Sequence, residues 1–431
     1  MSNPLQPLHP RNPAAKKAAA SKPGITASPA RVAAFEILER VGLTDAHSDD
    51  LLHSSRLSEL SQADRNLATT LVLGVLRWQI ALDAMLRPLL SRPDAELASP
   101  VATALRLGAF QLRYLDRIPA HAALSESVEL VRGAGHGHAA GMVNAVLRGL
   151  TRAAAAKVPL YETTEALATR LSHPAWLVRR WEKQYGRAAA MGICEYDQLP
   201  PEPGTLFAAA ETESLPTMDD GSRLVAELAA ASHPAPQRIW DCCAAPGGKT
   251  MVLAQRHPAA DLLATDVSVT RLRRLGERLR PVAPQVRTLL ADATKPLVDE
   301  AGFDLILCDA PCSGTGTLAR NPELKLRLQP ADLSRQAVRQ RDILLNALSC
   351  LAPGGRLLYS TCSLEAEENE QVVQAALAKA PAGVSTAPLE AVMERLPIAG
   401  AALVQDGRLR TLPGKSFRGD GFFAALFVRE G

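Results

Sequence analysis

The C-terminal half of the chain alternates short apolar runs with helix-like stretches, and this alternation constrains the fold more than any other feature. Stretches such as VTRLRRLGERLR and SRQAVRQRDILLNALSCL have helical spacing. The apolar runs between them are RIWDCC, DLLATD, VRTLLAD, FDLILCD and GRLLYS. Alternating strands and helices predict a doubly wound, mostly parallel sheet, which GDGFFAALFVRE would close as an antiparallel edge strand. Ligands of such sheets bind beyond the carboxyl ends of the strands.

Length and composition limit the class of protein. The 431 residues exceed one ordinary domain and predict two or three. No apolar run has the length of a membrane span, and the N-terminus lacks a signal peptide's apolar centre, so we predict a cytoplasmic protein without membrane contact. The seven cysteines include no CxxC pair, which argues against a zinc or thioredoxin-like site; we predict no metal.

Four segments are predicted along the chain. Residues 1–28 have no acidic side chain and are rich in Ala, Pro and Ser, which predicts a disordered basic arm, either simply solvated or in contact with phosphates. Its cations are Arg11, Lys16, Lys17 and Lys22. The helical pattern of residues 29–152 predicts an all-α domain of six or seven helices. We predict that residues 153–235 form a linker and a small subdomain, and that residues 236–431 form the domain that contains the sheet.

A glycine loop follows the first predicted strand. In DCCAAPGGKT, Gly247 and Gly248 allow close backbone approach just where a helix begins, an arrangement typical of a nucleotide cradle. The ending GGKT also resembles a phosphate-binding P-loop. That loop needs a glycine where this chain has Cys243, which argues against a P-loop NTPase.

Acidic residues end the successive strands. Asp266 lies about twenty residues after the glycines, where a carboxylate commonly bonds ribose hydroxyls. Asp292 ends the third strand and is placed to touch an adenine. Each acid could instead cap a helix. Three such acids beside a glycine loop, Asp266, Asp292 and Asp309, favour a cofactor. The absence of a GxGxxG motif argues against a redox dinucleotide. We therefore predict S-adenosylmethionine.

The cysteines fall into two groups. Buried cysteines are usually small apolar fillers. That interpretation suits Cys194, Cys242, Cys308 and Cys350. Cys312 and Cys362 differ because each follows the end of its strand, beside the predicted cofactor. A methyl donor next to a thiol fits carbon 5 of a pyrimidine, which becomes nucleophilic when a thiolate adds at carbon 6. A carboxyl such as Asp309 could hold N3, and a second group would help to release the adduct.

These motifs resemble those of the RsmB/Sun (Fmu) branch of the Nop/Sun RNA cytosine-C5 methyltransferases, over nearly the whole chain beyond the arm. In the sheet domain the matching stretches are CAAPGGK, DAPCSGTG, RNPELK, STCS and LPGKSFRGDGFF. The helical region resembles the NusB-like RNA-binding domain of this branch through DRNLATTLVLGVLRW, LRLGAFQLRYLDRIPAHAALSESVEL and VNAVLR. The resemblance implies an all-α NusB-like domain followed by a Rossmann-like, S-adenosylmethionine-dependent methyltransferase domain.

The resemblance also implies roles for individual residues. Cys362 is implied as the nucleophile and Cys312 as the residue that assists product release. Asp309 is expected to activate the base, and Lys249 to lie where cofactor and base meet. Cofactor contacts are implied for Cys243, Ala244, Ala245, Pro246, Gly247, Gly248, Lys249, Asp266, Asp292 and Asp309. The implied substrate is an extruded or single-stranded cytosine of RNA, expected to be 16S ribosomal RNA, and we expect a monomer.

Two departures from the family pattern and two alternatives bear on this prediction. The stretch PGTLFAAAETESL lacks the Arg and Asn of the family's Leu-Arg-Val-Asn, which concerns RNA positioning. Met218 stands where the family often has Gln, which concerns a cofactor contact. A DNA cytosine methyltransferase would use Cys312 as nucleophile, and the Thr-Cys motif argues against it. A non-catalytic RNA-binding factor would have lost Asp309, Cys312 or Cys362, and all three are present.

Overall fold

The structure is a computed structural model of the chain. It describes residues 27–153, 162–207, 215, 217–297, 302–414 and 417–431. The predicted basic arm lies outside these residues, except for Ala27 and Ser28. Much of the stretch PGTLFAAAETESL also lies outside them.

The chain forms two compact units. The first contains the described residues up to Leu43, Ser54–Val72, and the stretch from Met85 to Ala153. The second contains Thr44–His53, Leu73–Ala84, and the described residues from Glu162 to Gly431. Two short segments of the predicted helical range therefore pack with the second unit.

Helices dominate the chain between residues 27 and 153, as predicted. They are α1 (Pro29–Leu43), α2 (Ser48–Leu52), α3 (Ser55–Ser58), α4 (Gln62–Leu86), α5 (Ser99–Tyr114), α6 (Ala120–Gly133) and α7 (Ala140–Arg152). In the first unit, α5 approaches its neighbours at Gly108, where a Cβ atom would lie 2.5 Å from Leu147 Cδ1 and 2.7 Å from Ser127 Oγ. Arg31 Nε donates to Gln111 Oε1 over 2.7 Å and joins α1 to α5. A close helix contact at a glycine and a buried hydrogen bond thus tie these helices together.

One helical stretch, Gln62–Leu89, has the length and composition of a membrane span. On this measure the expectation that no apolar run reaches that length was wrong. Half of its most apolar window is buried inside the protein, and Leu71, Val72 and Val75 are among its buried residues. Core helices of soluble proteins meet the same test, so the stretch is weak evidence for a membrane. Burial within the protein accounts for its apolar composition.

The second unit contains nine strands and ten further helices within its described residues. The strands are β1 (Arg238–Asp241), β2 (Asp261–Asp266), β3 (Arg287–Leu290), β4 (Phe303–Asp309), β5 (Leu351–Thr361), β6 (Val384–Ala387), β7 (Val404–Gln405), β8 (Arg408–Thr411) and β9 (Phe422–Arg429). The helices are α8 (Thr164–Arg170), α9 (Ala175–Tyr185), α10 (Arg187–Tyr196), α11 (Asp220–Ser232), α12 (Gly248–Arg256), α13 (Val269–Leu279), α14 (Leu324–Arg327), α15 (Pro330–Ser349), α16 (Glu370–Leu377) and α17 (Glu390–Met393).

The strands form one sheet in the order β3-β2-β1-β4-β5-β9-β8-β7, with β6 paired to β9. Strands β1 to β5 pair in parallel, and β9 runs antiparallel to β5. The predicted mostly parallel, doubly wound sheet is confirmed. The prediction that the last strand lies at the edge was wrong, because β8 and β6 also pair with β9. Its unbroken apolar run FFAALFV is typical of a strand that is buried on both faces.

Apolar layers cover both faces of this sheet. Along β4, Leu305 and Leu307 pack in one layer, which also contains residues of α11, α12 and α13. Ile306 and Cys308 pack in the other layer with residues of α15 and α16. The alternation follows from the period of two along a strand. Because helices occupy both faces, the exposed side chains that could do chemistry collect at the carboxyl ends of β1 to β5.

Candidate active site

The parallel strands bring the predicted acids to one edge of the sheet. Asp266 ends β2, Asp309 ends β4, and Asp292 follows β3 by two residues. Strands β3, β2, β1, β4 and β5 are consecutive neighbours, so their carboxyl ends meet at the same edge. The glycine loop follows β1 at this edge, and Cys362 directly follows β5. The topology therefore collects the sequence-predicted residues on one side of the molecule.

The glycine loop is held close to its neighbours on two sides. Gly247 has a φ of 105°, and a Cβ atom there would lie 2.4 Å from Leu275 Cδ1. A Cβ atom on Gly248 would lie 3.2 Å from Met218 Cε and 3.3 Å from its Sδ. The amide of Ala244 donates to the carbonyl of Thr265 over 2.8 Å and ties the loop to β2. The thioether of Met218, a residue that is often Gln in the family, therefore packs against this loop.

Asp266 and Asp292 each shape a turn at the strand ends. Asp266 is buried, and its Oδ1 accepts from the amide of Ser268 over 2.8 Å. Asp292 Oδ1 accepts from the amide and the hydroxyl of Thr294 over 3.0 and 2.7 Å. The Thr294 hydrogen bonds lower the pKa of Asp292. Both carboxylates thus serve a local turn while lying at the binding edge of the sheet.

Asp241, the last residue of β1, was not predicted from the sequence as a site residue. Its side chain is buried, and Oδ2 accepts from Thr250 Oγ1 over 2.7 Å. Burial raises its pKa to about 7, although the hydrogen bond from Thr250 opposes the shift. Oδ1 has no hydrogen-bond partner among the described residues. The available signal was its place at the end of the first strand, the position that the other acids occupy in theirs.

Lys249 and Asp309 form an ion pair at the centre of the edge. Lys249 Nζ lies 2.7 Å from Asp309 Oδ2, and Ser360 Oγ donates to Asp309 Oδ1 over 2.7 Å. Burial opposes the charge on Lys249, but Asp309 outweighs it and raises the lysine pKa, with a smaller contribution from Cys362. The ammonium also lies 5.1 Å from the ring centre of Phe422. Asp309, the carboxylate that was predicted to hold the base, is therefore kept in one orientation by its ion pair with Lys249 and its hydrogen bond from Ser360.

The two predicted thiols are in contact. Cys312 Sγ lies 3.2 Å from Cys362 Sγ, although the residues are 50 positions apart in the chain. The hydrogen bond with Cys362 raises the pKa of Cys312 well above its ordinary value, and burial adds to the shift. The raised pKa favours the protonated form of Cys312, so a hydrogen bond can link the two sulfur atoms. The remaining predicted filler cysteines are all buried: Cys194, Cys242, Cys308 and Cys350.

Cys312 lies in the loop after β4 and Cys362 in the loop after β5, and these are called the two thiol loops. Backbone contacts fix the two thiol loops against each other. The amide of Gly316 donates to the carbonyl of Cys362 over 2.9 Å, and the amide of Gly421 donates to the carbonyl of Gly316 over 2.7 Å. A Cβ atom on Gly316 would lie 2.2 Å from the Gly421 oxygen. Leu364 donates its amide to Thr315 Oγ1 over 2.9 Å. The last glycine of DAPCSGTG is thus required for this close approach.

The motifs MDDGS, RNPELK and GDGFF meet in one buried network that supports the site. Arg320 bonds Asp420 Oδ2 through Nε over 3.0 Å and Asp219 Oδ2 through a terminal nitrogen over 3.1 Å. Asp219 also caps α11 by accepting from the amides of Gly221 and Ser222. Burial and the neighbouring Asp219 raise the pKa of Asp420 to about 8. These residues join distant stretches of chain behind the thiol loops.

These features define a Rossmann-like methyltransferase with an N-terminal NusB-like helical region. Residues 229–428 match the family described as 16S rRNA methyltransferase RsmB/F, and residues 28–152 match the NusB family. The chain belongs to the RsmB/F family of methyltransferases. The resemblance inferred from its motifs is confirmed, including the NusB-like part.

Full-length relatives agree with this assignment. A Bacillus subtilis protein named "Probable ribosomal RNA small subunit methyltransferase B" is 33% identical over 448 residues, which cover 92% of this chain and 98% of that protein. A Xanthomonas campestris protein named "Ribosomal RNA small subunit methyltransferase B" is 34% identical and covers 85% of this chain and 89% of its own length. The crystal structure of PH0851 is 21% identical, has a TM-score of 0.73 and covers 94% of this chain and 99% of that one. At that identity it supports the fold.

Proposed function

We propose that this methyltransferase transfers a methyl group from S-adenosylmethionine to carbon 5 of a cytosine in 16S ribosomal RNA, in the cytoplasm. The observation that carries the proposal is the contact between Cys312 and Cys362, with sulfur atoms 3.2 Å apart, at the edge that holds the Lys249–Asp309 pair. A simple methyl transfer to an already nucleophilic oxygen or nitrogen has no need of two thiols. A pyrimidine carbon needs one thiol to activate it and benefits from a second group that reverses the activation.

The loop after β1 fits the cofactor. A Cβ atom on Gly247 or Gly248 would lie against Leu275 or Met218, so glycine at both positions lets the loop pack closely where the helix begins. We expect Asp266, next along the sheet edge, to bond the ribose hydroxyls, and Asp292 to contact the adenine. When bound, S-adenosylmethionine supplies an electrophilic methyl group. The residues expected to hold it are Cys243, Ala244, Ala245, Pro246, Gly247, Gly248, Lys249, Asp266, Asp292 and Asp309.

The chain's own residues would activate the base in one sequence. The Cys362 thiol passes its proton to Asp309, and the thiolate adds to carbon 6. The protonated Asp309 then donates to N3, an acceptor without a hydrogen of its own, and carbon 5 becomes nucleophilic. Lys249 keeps Asp309 oriented and places a positive charge near the Cys362 sulfur. After methyl transfer Cys362 is bonded to carbon 6 and no longer holds the hydrogen bond that raised the pKa of Cys312, so Cys312 can give its proton to water. Its thiolate then takes the proton of carbon 5, the double bond between carbons 5 and 6 forms again, Cys362 leaves carbon 6 as a thiolate, and N3 returns its proton to Asp309.

Product analysis tests the reaction. Purified protein should transfer labelled methyl groups from S-adenosylmethionine to 16S ribosomal RNA, and nuclease digestion should yield 5-methylcytidine. Labelling of another nucleoside, or of DNA alone, would contradict the proposed substrate. Bisulfite mapping of RNA from cells with and without the gene should then locate the target cytosine.

Two variants test the thiols. Cys362→Ala should be inactive and form no adduct with RNA, because no thiolate adds to the ring. Cys312→Ala should add and methylate, then stall, so that a protein–RNA adduct survives denaturing electrophoresis. Cys194→Ala, at a buried filler cysteine, serves as the control and should turn over. An adduct with Cys362→Ala and none with Cys312→Ala would reverse the roles and favour the DNA-type mechanism.

A further inference from the structure

Glu368 is a fully buried carboxylate between the two thiol loops. Its Oε1 accepts from the Ser313 amide over 2.8 Å and from Gln340 Nε2 over 2.9 Å. Its Oε2 accepts from the hydroxyls of Ser313 and Ser363, the latter over 2.5 Å. Two donors on each oxygen use the acceptor capacity of a carboxylate. No motif in the sequence pointed to this residue.

The partners of Glu368 are the immediate neighbours of the two thiols. Ser313 directly follows Cys312, and Ser363 directly follows Cys362. One side chain therefore joins both loops at the residue after each sulfur. Ser313 Oγ and Ser363 Oγ also lie 3.2 Å from each other.

Gln340 extends the same network to the residue before Cys312. Its Nε2 donates to the Pro311 carbonyl over 2.9 Å as well as to Glu368. Gln340 lies on α15, a 20-residue helix that packs on the sheet, so the network rests on a rigid element. The carboxylate is thus fixed relative to the scaffold and to both loops.

A carboxylate suits this position better than an amide would. Burying a charge is costly unless hydrogen bonds satisfy it, and among the described residues no cation forms an ion pair with Glu368. A carboxylate can only accept, so every neighbour must donate to it. Both serine hydroxyls are therefore held in one orientation. An amide would present N–H to one of them and leave that orientation open.

We propose that Glu368 is a positioning residue that sets the separation and direction of the Cys312 and Cys362 sulfur atoms. It acts through Ser313 and Ser363 and touches no substrate. The inference rests on the proposed two-thiol function, because its purpose is to let both sulfurs reach one base. Displacement of reacting groups by about 1 Å can cost about 10²-fold in rate, so such a support has a large effect.

The first test measures thiol geometry without RNA. Diamide takes two electrons and two protons from two thiols, forms one S–S bond and becomes the hydrazine. In the full-length protein the Cys312–Cys362 disulfide should form quickly, and mass spectrometry of linked peptides identifies it. Glu368→Gln should slow this reaction about tenfold, because the sulfurs lose their fixed separation. The control is Glu367→Gln, at a partly exposed neighbour that pairs with Arg180.

The second test separates the two loops. Ser313→Ala frees the loop of Cys312 and should slow elimination, so adduct accumulates during turnover. Ser363→Ala frees the loop of Cys362 and should slow addition, so less adduct forms than in the unchanged protein. A merely structural role would lower both steps alike. These milder variants carry the test if Glu368→Gln fails to fold, as judged by thermal melting and by binding of S-adenosylmethionine.

The outcomes distinguish this inference from the proposed function. Unchanged disulfide rates in the Glu368 and serine variants would overturn the positioning role, whatever their activity. Equal loss of both steps in the two serine variants would overturn it too. Slower disulfide formation in an enzyme that makes no 5-methylcytidine would support the geometric role of Glu368 and contradict the proposed reaction.

Discussion

Lys249 Nζ lies 2.7 Å from Asp309 Oδ2, although one residue lies in the first turn of the helix after β1 and the other ends β4. The pair joins the glycine loop to the strand that leads into the Cys312 loop. Lys249 keeps its positive charge near neutral pH, because Asp309 raises the pKa of the lysine despite its burial. Cofactor loop and thiol loops are therefore coupled through one ion pair.

Breaking this pair should lower turnover more than RNA binding. We expect Lys249→Met to reduce kcat by about 10²-fold or more, the scale of a positioned acid–base group. Asp309→Asn should do the same, and the double variant should lose little further activity because the two residues act as a unit. Single-turnover kinetics with saturating RNA measure this. Lys379→Met, at an exposed lysine, should be neutral. Fully additive losses would show that the two residues act separately.

The two ends of β2 provide a matched test of the cofactor site. Asp266→Ala should weaken S-adenosylmethionine binding by about 1.5–3 kcal/mol, the worth of a hydrogen bond to a charged group. Asp261→Ala, at the opposite end of the same strand, removes a half-exposed pair with Arg287 and should leave the affinity unchanged. Calorimetric titration distinguishes them. Equal affinities for the two variants would remove Asp266 from the site.

Close backbone approach at Gly316 predicts a large effect from one methyl group. Gly316→Ala would place Cβ 2.2 Å from the Gly421 oxygen, so the thiol loops must shift. We expect the free energy of unfolding to fall by about 1–3 kcal/mol, as in overpacked cores, together with loss of adduct formation. Gly276→Ala, on α13 with nothing near the added atom, should instead stabilise by about 0.5–1 kcal/mol. Denaturant unfolding compares the two, and equal effects would refute the steric argument.

Burial of Lys325 predicts a dependence of stability on pH. Burial lowers its pKa to about 7, although Asp197 opposes the shift. Between about pH 7 and pH 10 the unfolded chain therefore binds a proton that the folded protein lacks, and stability should rise with pH by up to about 1.4 kcal/mol per unit. Below about pH 7 Lys325 is protonated in both the folded and the unfolded protein, so its contribution to stability no longer changes with pH. Lys325→Met should flatten this rise in denaturant titrations, whereas Lys379→Met should not. An unchanged slope in Lys325→Met would contradict the prediction.

Local patterns in the sequence were sufficient to predict the parallel part of the sheet. The short apolar run in FDLILCD and the helical spacing of VTRLRRLGERLR predicted β4 and α13, and the rule for parallel sheets placed Asp266, Asp309 and Cys362 at one edge. The position of β9 was missed. Its apolar run fits an edge or an interior strand equally until β8 and β6 are found to flank it. Those partners are short strands with weak sequence patterns.

The sequence by itself determined the class of fold, the glycine loop and the identity of the two thiols, because these depend on residue types and spacings within short stretches. Only the tertiary structure decided which distant groups touch. Cys312 and Cys362 are 50 residues apart, and Lys325 donates to the Arg77 carbonyl across 248 residues. The four-donor setting of Glu368 arises in the same way, from loops after β4 and β5 and from α15. Such contacts follow from the packing of whole elements, which no local pattern specifies.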